Sequence, residues 1–194
     1  MLFEKGERIK PEELNVEKIG ESHKCFIENF KSYEPELMDF LKEDALKQQE
    51  RKISVTYLWF LRETNELVAY ITLCPDCIKL KNIEEELYKM FREKGINYKS
   101  LPALKIGRLC VSDKFLKRGI GKLLIQFAIK KAQEVSNNVG CRFLYLDAKR
   151  NQDSNKDAIH FYKKMGFEIY KNRDSTETPL YMDIFPIFPE LTNP

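Results

Sequence analysis

Arg108-Leu-Cys-Val-Ser-Asp-Lys-Phe-Leu-Lys-Arg-Gly-Ile-Gly121 is the stretch whose reading decides the fold. The apolar run over residues 104–111 reads as a buried strand, and a short basic loop then leads into a glycine-punctuated turn where a helix begins. Gly119 and Gly121 carry no side chain, so the backbone N–H groups of residues 117–122 can close on an anion at the helix N-terminus. Unpaired N–H groups and the positive end of the helix dipole favour a phosphate or pyrophosphate at that point. The first implication is a phosphorylated cofactor, and with it an enzyme.

Two other phosphate-binding loops fail residue by residue. A P-loop needs a Ser or Thr after its lysine and a glycine five residues before the second one, but Leu123 follows Lys122 and Leu116 holds the glycine position. A dinucleotide fingerprint needs a third glycine where Leu124 stands. An ordinary strand-to-helix turn uses the same glycine pair, so the flanking sequence has to decide.

Downstream, Ile120, Leu123, Leu124, Phe127, Ala128 and Val135 form one broad apolar helix face, interrupted by Lys131. Residues 143–148 read as a strand buried on both sides. Ser154 and Asp157 resemble a capping box for a helix whose inward stripe is Ala158, Phe161, Tyr162 and Met165, stopped by Gly166. Residues 167–170 and 180–184 supply closing strands, and the proline-containing tail 185–194 is expected as an extended arm or as disorder. Upstream, residues 14–19 suggest an edge strand, and Pro35 opens a helix with Leu37, Phe40, Leu41 and Ala45 on one face. Ile53, Val55, Tyr57, Trp59 and Leu61 alternate as in a half-buried strand, which turns through residues 63–66 into a second strand over 67–73. Residues 78–100 look inserted, with a charged helix over 84–93 ended by Gly95 and expected to wall the substrate groove or to lie on the surface.

Arg118-Gly-Ile-Gly-Lys-Leu-Leu124, followed by Asn155-Lys-Asp-Ala158-Ile-His-Phe161-Tyr162-Lys-Lys-Met-Gly166-Phe167, resembles the acetyl-CoA motif of the GNAT superfamily of N-acetyltransferases. That family carries R/Q-x-x-G-x-G/A in the loop and N-x-x-A-x-x-F-Y-x-x-x-G-F on the later helix. Here Leu116 takes the first loop position, and Lys117 and Arg118 follow it. The resemblance implies an α/β (α+β) fold: a mixed, mostly antiparallel central sheet, splayed between strands 4 and 5 and flanked by helices. One domain over residues 1–194, with its core at about 50–184, is expected.

Acetyl-CoA is the implied co-substrate. Its pyrophosphate falls to Lys117, Arg118, Gly119, Ile120, Gly121 and Lys122, and its pantetheine arm to the backbone of Leu109, Cys110 and Val111 and to the Asn155 amide, with Ala158 and Phe161 on the same helix. A backbone N–H near Val111 would face the thioester oxygen, and Tyr162 would protonate the departing thiolate, although a helical stripe is also where a core tyrosine sits. Asp147, Glu63, Glu66 and a water chain are all open as general base.

The implied reaction is transfer of acetyl to a primary amine of a small molecule or protein, by direct attack in a ternary complex. The helix Pro35-Glu-Leu-Met-Asp-Phe-Leu-Lys and the strand Ile106-Gly-Arg-Leu-Cys-Val111 resemble the branch whose toxins acetylate aminoacyl-tRNA, so tRNA is the alternative partner. A catalytically idle CoA-binding module is a third reading.

Lys and Arg number 33 against 30 Asp and Glu, so whole-chain charge does not single out a nucleic-acid binder. Local basic groups gather instead at Lys114, Lys117, Arg118 and Lys122, at Lys130 and Lys131, and at Lys149 and Arg150. Met1-Leu-Phe-Glu-Lys-Gly-Glu-Arg has no apolar segment, and the uncharged apolar runs are strand-length. No membrane association, a cytoplasmic location and a monomer or homodimer are expected. An odd number of cysteines, 5, argues for reduced thiols. Cys74-Pro-Asp-Cys77 has a redox or zinc spacing, but Cys25, Cys110, Cys141, His23 and His160 are scattered singly, so the pair is read as incidental thiols at a strand exit, with no metal.

Overall fold

A computed structural model describes residues 6–149, 158–170 and 177–185. Its centre is a seven-stranded mixed sheet in the order β1-β2-β3-β4-β5-β7-β6. The strands are β1 (Leu14–Lys18), β2 (Val55–Leu61), β3 (Leu67–Lys79), β4 (Ser100–Val111), β5 (Phe143–Lys149), β6 (Glu168–Ile169) and β7 (Glu177–Asp183). The helices are α1 (Lys24–Asn29), α2 (Pro35–Asp39), α3 (Ala45–Glu50), α4 (Glu85–Glu93), α5 (Ile120–Val139) and α6 (Ala158–Lys164). A π-helical turn, Phe40–Asp44, joins α2 to α3, so the helix expected from Pro35 onward runs continuously to Glu50. The pairs β1–β2, β2–β3, β5–β7 and β6–β7 are antiparallel, and β4–β5 is parallel. This is the mostly antiparallel mixed sheet that the glycine loop and its flanks imply.

Packing divides the chain into two compact units, Met1–Cys74 with Ile106–Ala128, and Pro75–Lys105 with Ile129–Pro194. In the first unit, Leu58 and Phe60 on one face of β2 join Ile27, Phe30, Phe40, Leu41 and Ala45 from the helical segments in one buried cluster. Tyr70 of β3 lies in the same cluster and donates its hydroxyl to the Leu37 carbonyl at 2.6 Å, which satisfies the one polar atom it buries. On the opposite face Tyr57 and Trp59 meet Phe127 of α5 edge-on, at 4.9 and 5.5 Å between ring centroids. The alternation in β2 suggests a strand buried on one face only; the structure covers both, because α5 lies on one and the α1–α3 region on the other.

In the second unit Ile78, Leu80, Ile83 and Phe91 pack with Ala103, Phe143, Tyr170 and Tyr181. The segment over residues 78–100, read from the sequence as an insertion, is therefore part of this unit's core. Phe91, on the apolar side of its charged helix, is 1% exposed. β3 also continues past residue 73 to Lys79, so Cys74 and Cys77 lie within a strand rather than at its exit. Separated by three positions there, their side chains leave opposite faces of the sheet.

Candidate active site

β4 registers with β5 at Ala103–Phe143, Leu104–Leu144 and Lys105–Tyr145, and its residues 106–111 belong to the first unit. Leu109 and Val111 are half-buried there and Cys110 is buried. Burial pushes the Cys110 thiol up to about 12, countered in part by a hydrogen bond with Ser32. Beyond β4 the Ser112 N–H donates to the Val68 carbonyl at 2.8 Å, and a single 3-10 turn, Asp113–Phe115, follows. The Asp113 carboxylate accepts the Tyr33 N–H at 3.0 Å, and Phe115 is buried.

The loop then turns through two left-handed residues, Lys117 at φ 60° and Gly119 at φ 90°. Lysine at that angle carries strain of order 1 kcal/mol, whereas glycine carries none. Intrahelical bonding starts with Lys122 and Leu123, whose N–H groups donate to the Gly119 carbonyl at 3.1 and 3.4 Å. The N–H groups of residues 117–121 donate to no acceptor among the described residues. A β-carbon built at Gly119 meets nothing within 4 Å, so space lies open beside this row of donors. Lys117 and Lys122 are exposed, Gly121 is half-buried and Ile120 is buried as the first apolar anchor of α5. Free amides, an open approach and two exposed ammonium groups fit a diphosphate.

In the second unit α6 presents Ala158 and Phe161 half-buried and Tyr162 buried, at 8% exposure. The Tyr162 ring meets Phe161 and Phe167 edge-on, at 5.2 and 5.7 Å. Gly166, at φ 93°, ends the helix, and the Phe167 N–H returns to the Tyr162 carbonyl at 3.1 Å. Asn155 and the Ser154–Asp157 cap lie outside the described residues.

Asp147, one of the open candidates for general base, has both carboxylate oxygens occupied. Lys105 Nζ lies 2.8 Å from one, and the Tyr145 hydroxyl donates to the other at 2.8 Å. Burial and the hydrogen bond to Asp147 raise the Tyr145 phenol above its ordinary value. Glu66 accepts two hydrogen bonds from Lys114, at 2.9 and 2.8 Å. Sequence reasoning named Asp147 but missed its partners in the Lys105–Asp147–Tyr145 group, because Lys105 comes from a different strand far back in the chain. The parallel registration of Lys105 with Tyr145 is what assembles it.

The model of the Acetyltransferase (GNAT) family matches residues 21–167, a span that includes both the glycine loop and α6. The chain belongs to the GNAT acetyltransferase family. It is an acetyl-CoA-dependent acyltransferase. Among solved structures it is similar to AtaT complexed with acetyl-methionyl-tRNAfMet, with 23% identity and TM-score 0.72, covering 88% of this chain and 94% of that one. A mutant of KacT has 24% identity and TM-score 0.74, with 89% and 95% covered. AtaTR bound with AcCoA has 21% identity and TM-score 0.66, with 89% and 94% covered. At these identities the likeness establishes the acetyltransferase's fold. No described helix is long and apolar enough to cross a membrane, and no group of three or more His, Cys, Asp or Glu among the described residues could hold a metal ion.

Proposed function

We propose that this acetyltransferase acetylates the α-amino group of an aminoacyl-tRNA. The observation that carries the choice of substrate is the similarity, over nearly the full length of both chains, to AtaT in complex with acetyl-methionyl-tRNAfMet. Acetyl-CoA supplies an activated acyl group as a thioester. The amides of residues 117–121, with Lys117 and Lys122, hold the pyrophosphate, and Leu109, Cys110 and Val111 present backbone to the pantetheine arm. The Ser112 N–H, already used by Val68, is not part of that surface. The amine nitrogen forms a bond to the acetyl carbon as the carbon–sulfur bond breaks. Tyr162 gives its proton to the sulfur, and the amine's proton leaves to solvent. Asn155, Ala158 and Phe161 take their cofactor roles from the same motif.

A turnover screen following CoA thiol release, with acetyl-CoA and charged tRNAs set against polyamines, aminoglycosides, free amino acids and peptides, tests the substrate. Acetylated aminoacyl-tRNA as the preferred product is expected, with KM rising steeply as salt is added, because phosphate contacts release counterions. Preference for an amine without RNA, at a salt-insensitive KM, would replace tRNA by a small-molecule or protein substrate. CoA binding without turnover on any amine would leave a binding module.

A further inference from the structure

Arg118 is the loop's most obvious phosphate ligand by sequence, yet its side chain is engaged elsewhere. Its Nε donates to the Glu7 carbonyl at 2.9 Å, and its guanidinium carbon lies 5.3 Å from the centre of the buried Phe115 ring. Its own carbonyl accepts the Ile9 N–H at 3.1 Å, and Ile9 is 5% exposed. A β-carbon at Gly6 would sit 3.1 Å from Arg118 Cδ and 3.2 Å from Nε, so the segment passes closely enough against the arginine stem that a side chain there would make it shift. Residues 6–9 thus form a strap fixed to the cofactor loop by two hydrogen bonds and a buried isoleucine.

We propose that Arg118 is a positioning residue: together with the strap of residues 6–9 it braces the loop so that the amides of residues 117–121 stay aligned for the diphosphate of acetyl-CoA. The loop needs a brace because its turn begins at a left-handed lysine, a conformation that an unsupported chain leaves readily. Holding it before the cofactor arrives removes an ordering cost from binding. The proposal rests on the reading that this loop takes the pyrophosphate.

A double-mutant cycle by calorimetry with CoA tests it, using Arg118→Met, which keeps the apolar stem over Phe115, and Ile9→Pro, which removes the strap's N–H donor. Ile9→Ala separates lost packing from the lost hydrogen bond. Each of Arg118→Met and Ile9→Pro should weaken CoA about tenfold, the scale of one intramolecular hydrogen bond. The double variant should bind no worse than the weaker single one, with the loss falling on KM for acetyl-CoA rather than on kcat. Gly6→Val, which pushes the guanidinium off the Glu7 carbonyl, should behave like Arg118→Met and carries the comparison if Ile9→Pro does not fold. Multiplying losses would overturn the brace, and so would wild-type binding by the strap variants while Arg118→Met is impaired, which is the signature of direct phosphate contact. Unchanged CoA affinity in Gly119→Val would instead overturn the loop reading itself, so the two failures are distinct.

Discussion

At Gly119 the backbone sits at φ 90°, and the space beyond its missing β-carbon is open. Gly119→Val should therefore cost about 1–2 kcal/mol of stability through strain. It should weaken CoA by at least ~10-fold, because the added side chain stands where the phosphates approach the amides. Calorimetry and a melting curve on the same sample separate the two effects. Tyr162→Phe preserves the edge-on contacts with Phe161 and Phe167 and should lower kcat by ~10²-fold with little change in cofactor affinity, the scale of a positioned proton donor. An unchanged kcat would leave the ring with a packing role alone. Cys110, buried and with its thiol held protonated, should resist a thiol reagent at neutral pH until the protein is denatured, whereas exposed Cys25 and Cys77 react at once. The glycine pair and Tyr162 stand out in the sequence because their residue types and spacing match a motif. At Arg118 the charge suggested an anion, and nothing in the spacing showed that the Glu7 carbonyl, more than a hundred positions away, would accept its Nε–H.

Most elements were legible from periodicity. α5 shows its apolar face plainly, and β5 reads as a nearly continuous apolar run because Phe143 on one face and Leu144, Leu146 and Ala148 on the other are all buried. The helix after β3 was legible almost to its bounds, but its place in the core was not, because a nine-residue helix dense in charge shows few apolar positions even when one of them is central to a core. Phe91 packs 6.0 Å from the Phe143 ring, with the Arg142 guanidinium 5.5 Å from its own ring centre. Phe91→Ala should cost about 3–5 kcal/mol by leaving a cavity there, measurable by urea denaturation. Removing residues 79–94 should abolish folding of the second unit rather than reshape a groove, so soluble expression of that deletion with native circular dichroism would contradict the placement. The length of β3 escaped notice for a related reason: Pro75 and Asp76 are turn formers by composition, yet here they occupy exposed strand positions.

For the whole protein, Cys110 and Cys141 and the phenols of Tyr33, Tyr70, Tyr145 and Tyr181 all have values raised, mainly by burial. The folded chain therefore holds these protons more tightly than the unfolded one. Stability should be fully present below about pH 8.5, where an unfolded thiol begins to ionise, and should fall as pH rises toward 12. A Tm that stays level from pH 8 to 10.5 would contradict this. The single tryptophan, Trp59, supplies an optical reporter for such experiments. At 6% exposure, with no hydrogen-bond partner for its indole nitrogen among the described residues and with Phe127 edge-on, it should emit at short wavelength and shift red when α5 leaves β2. Because Trp59 and Phe127 both lie in the first unit, its emission tracks that unit, whereas far-ultraviolet ellipticity averages over both. Two unfolding curves that superimpose would mean that the units melt as one, and two that separate would give each its own stability.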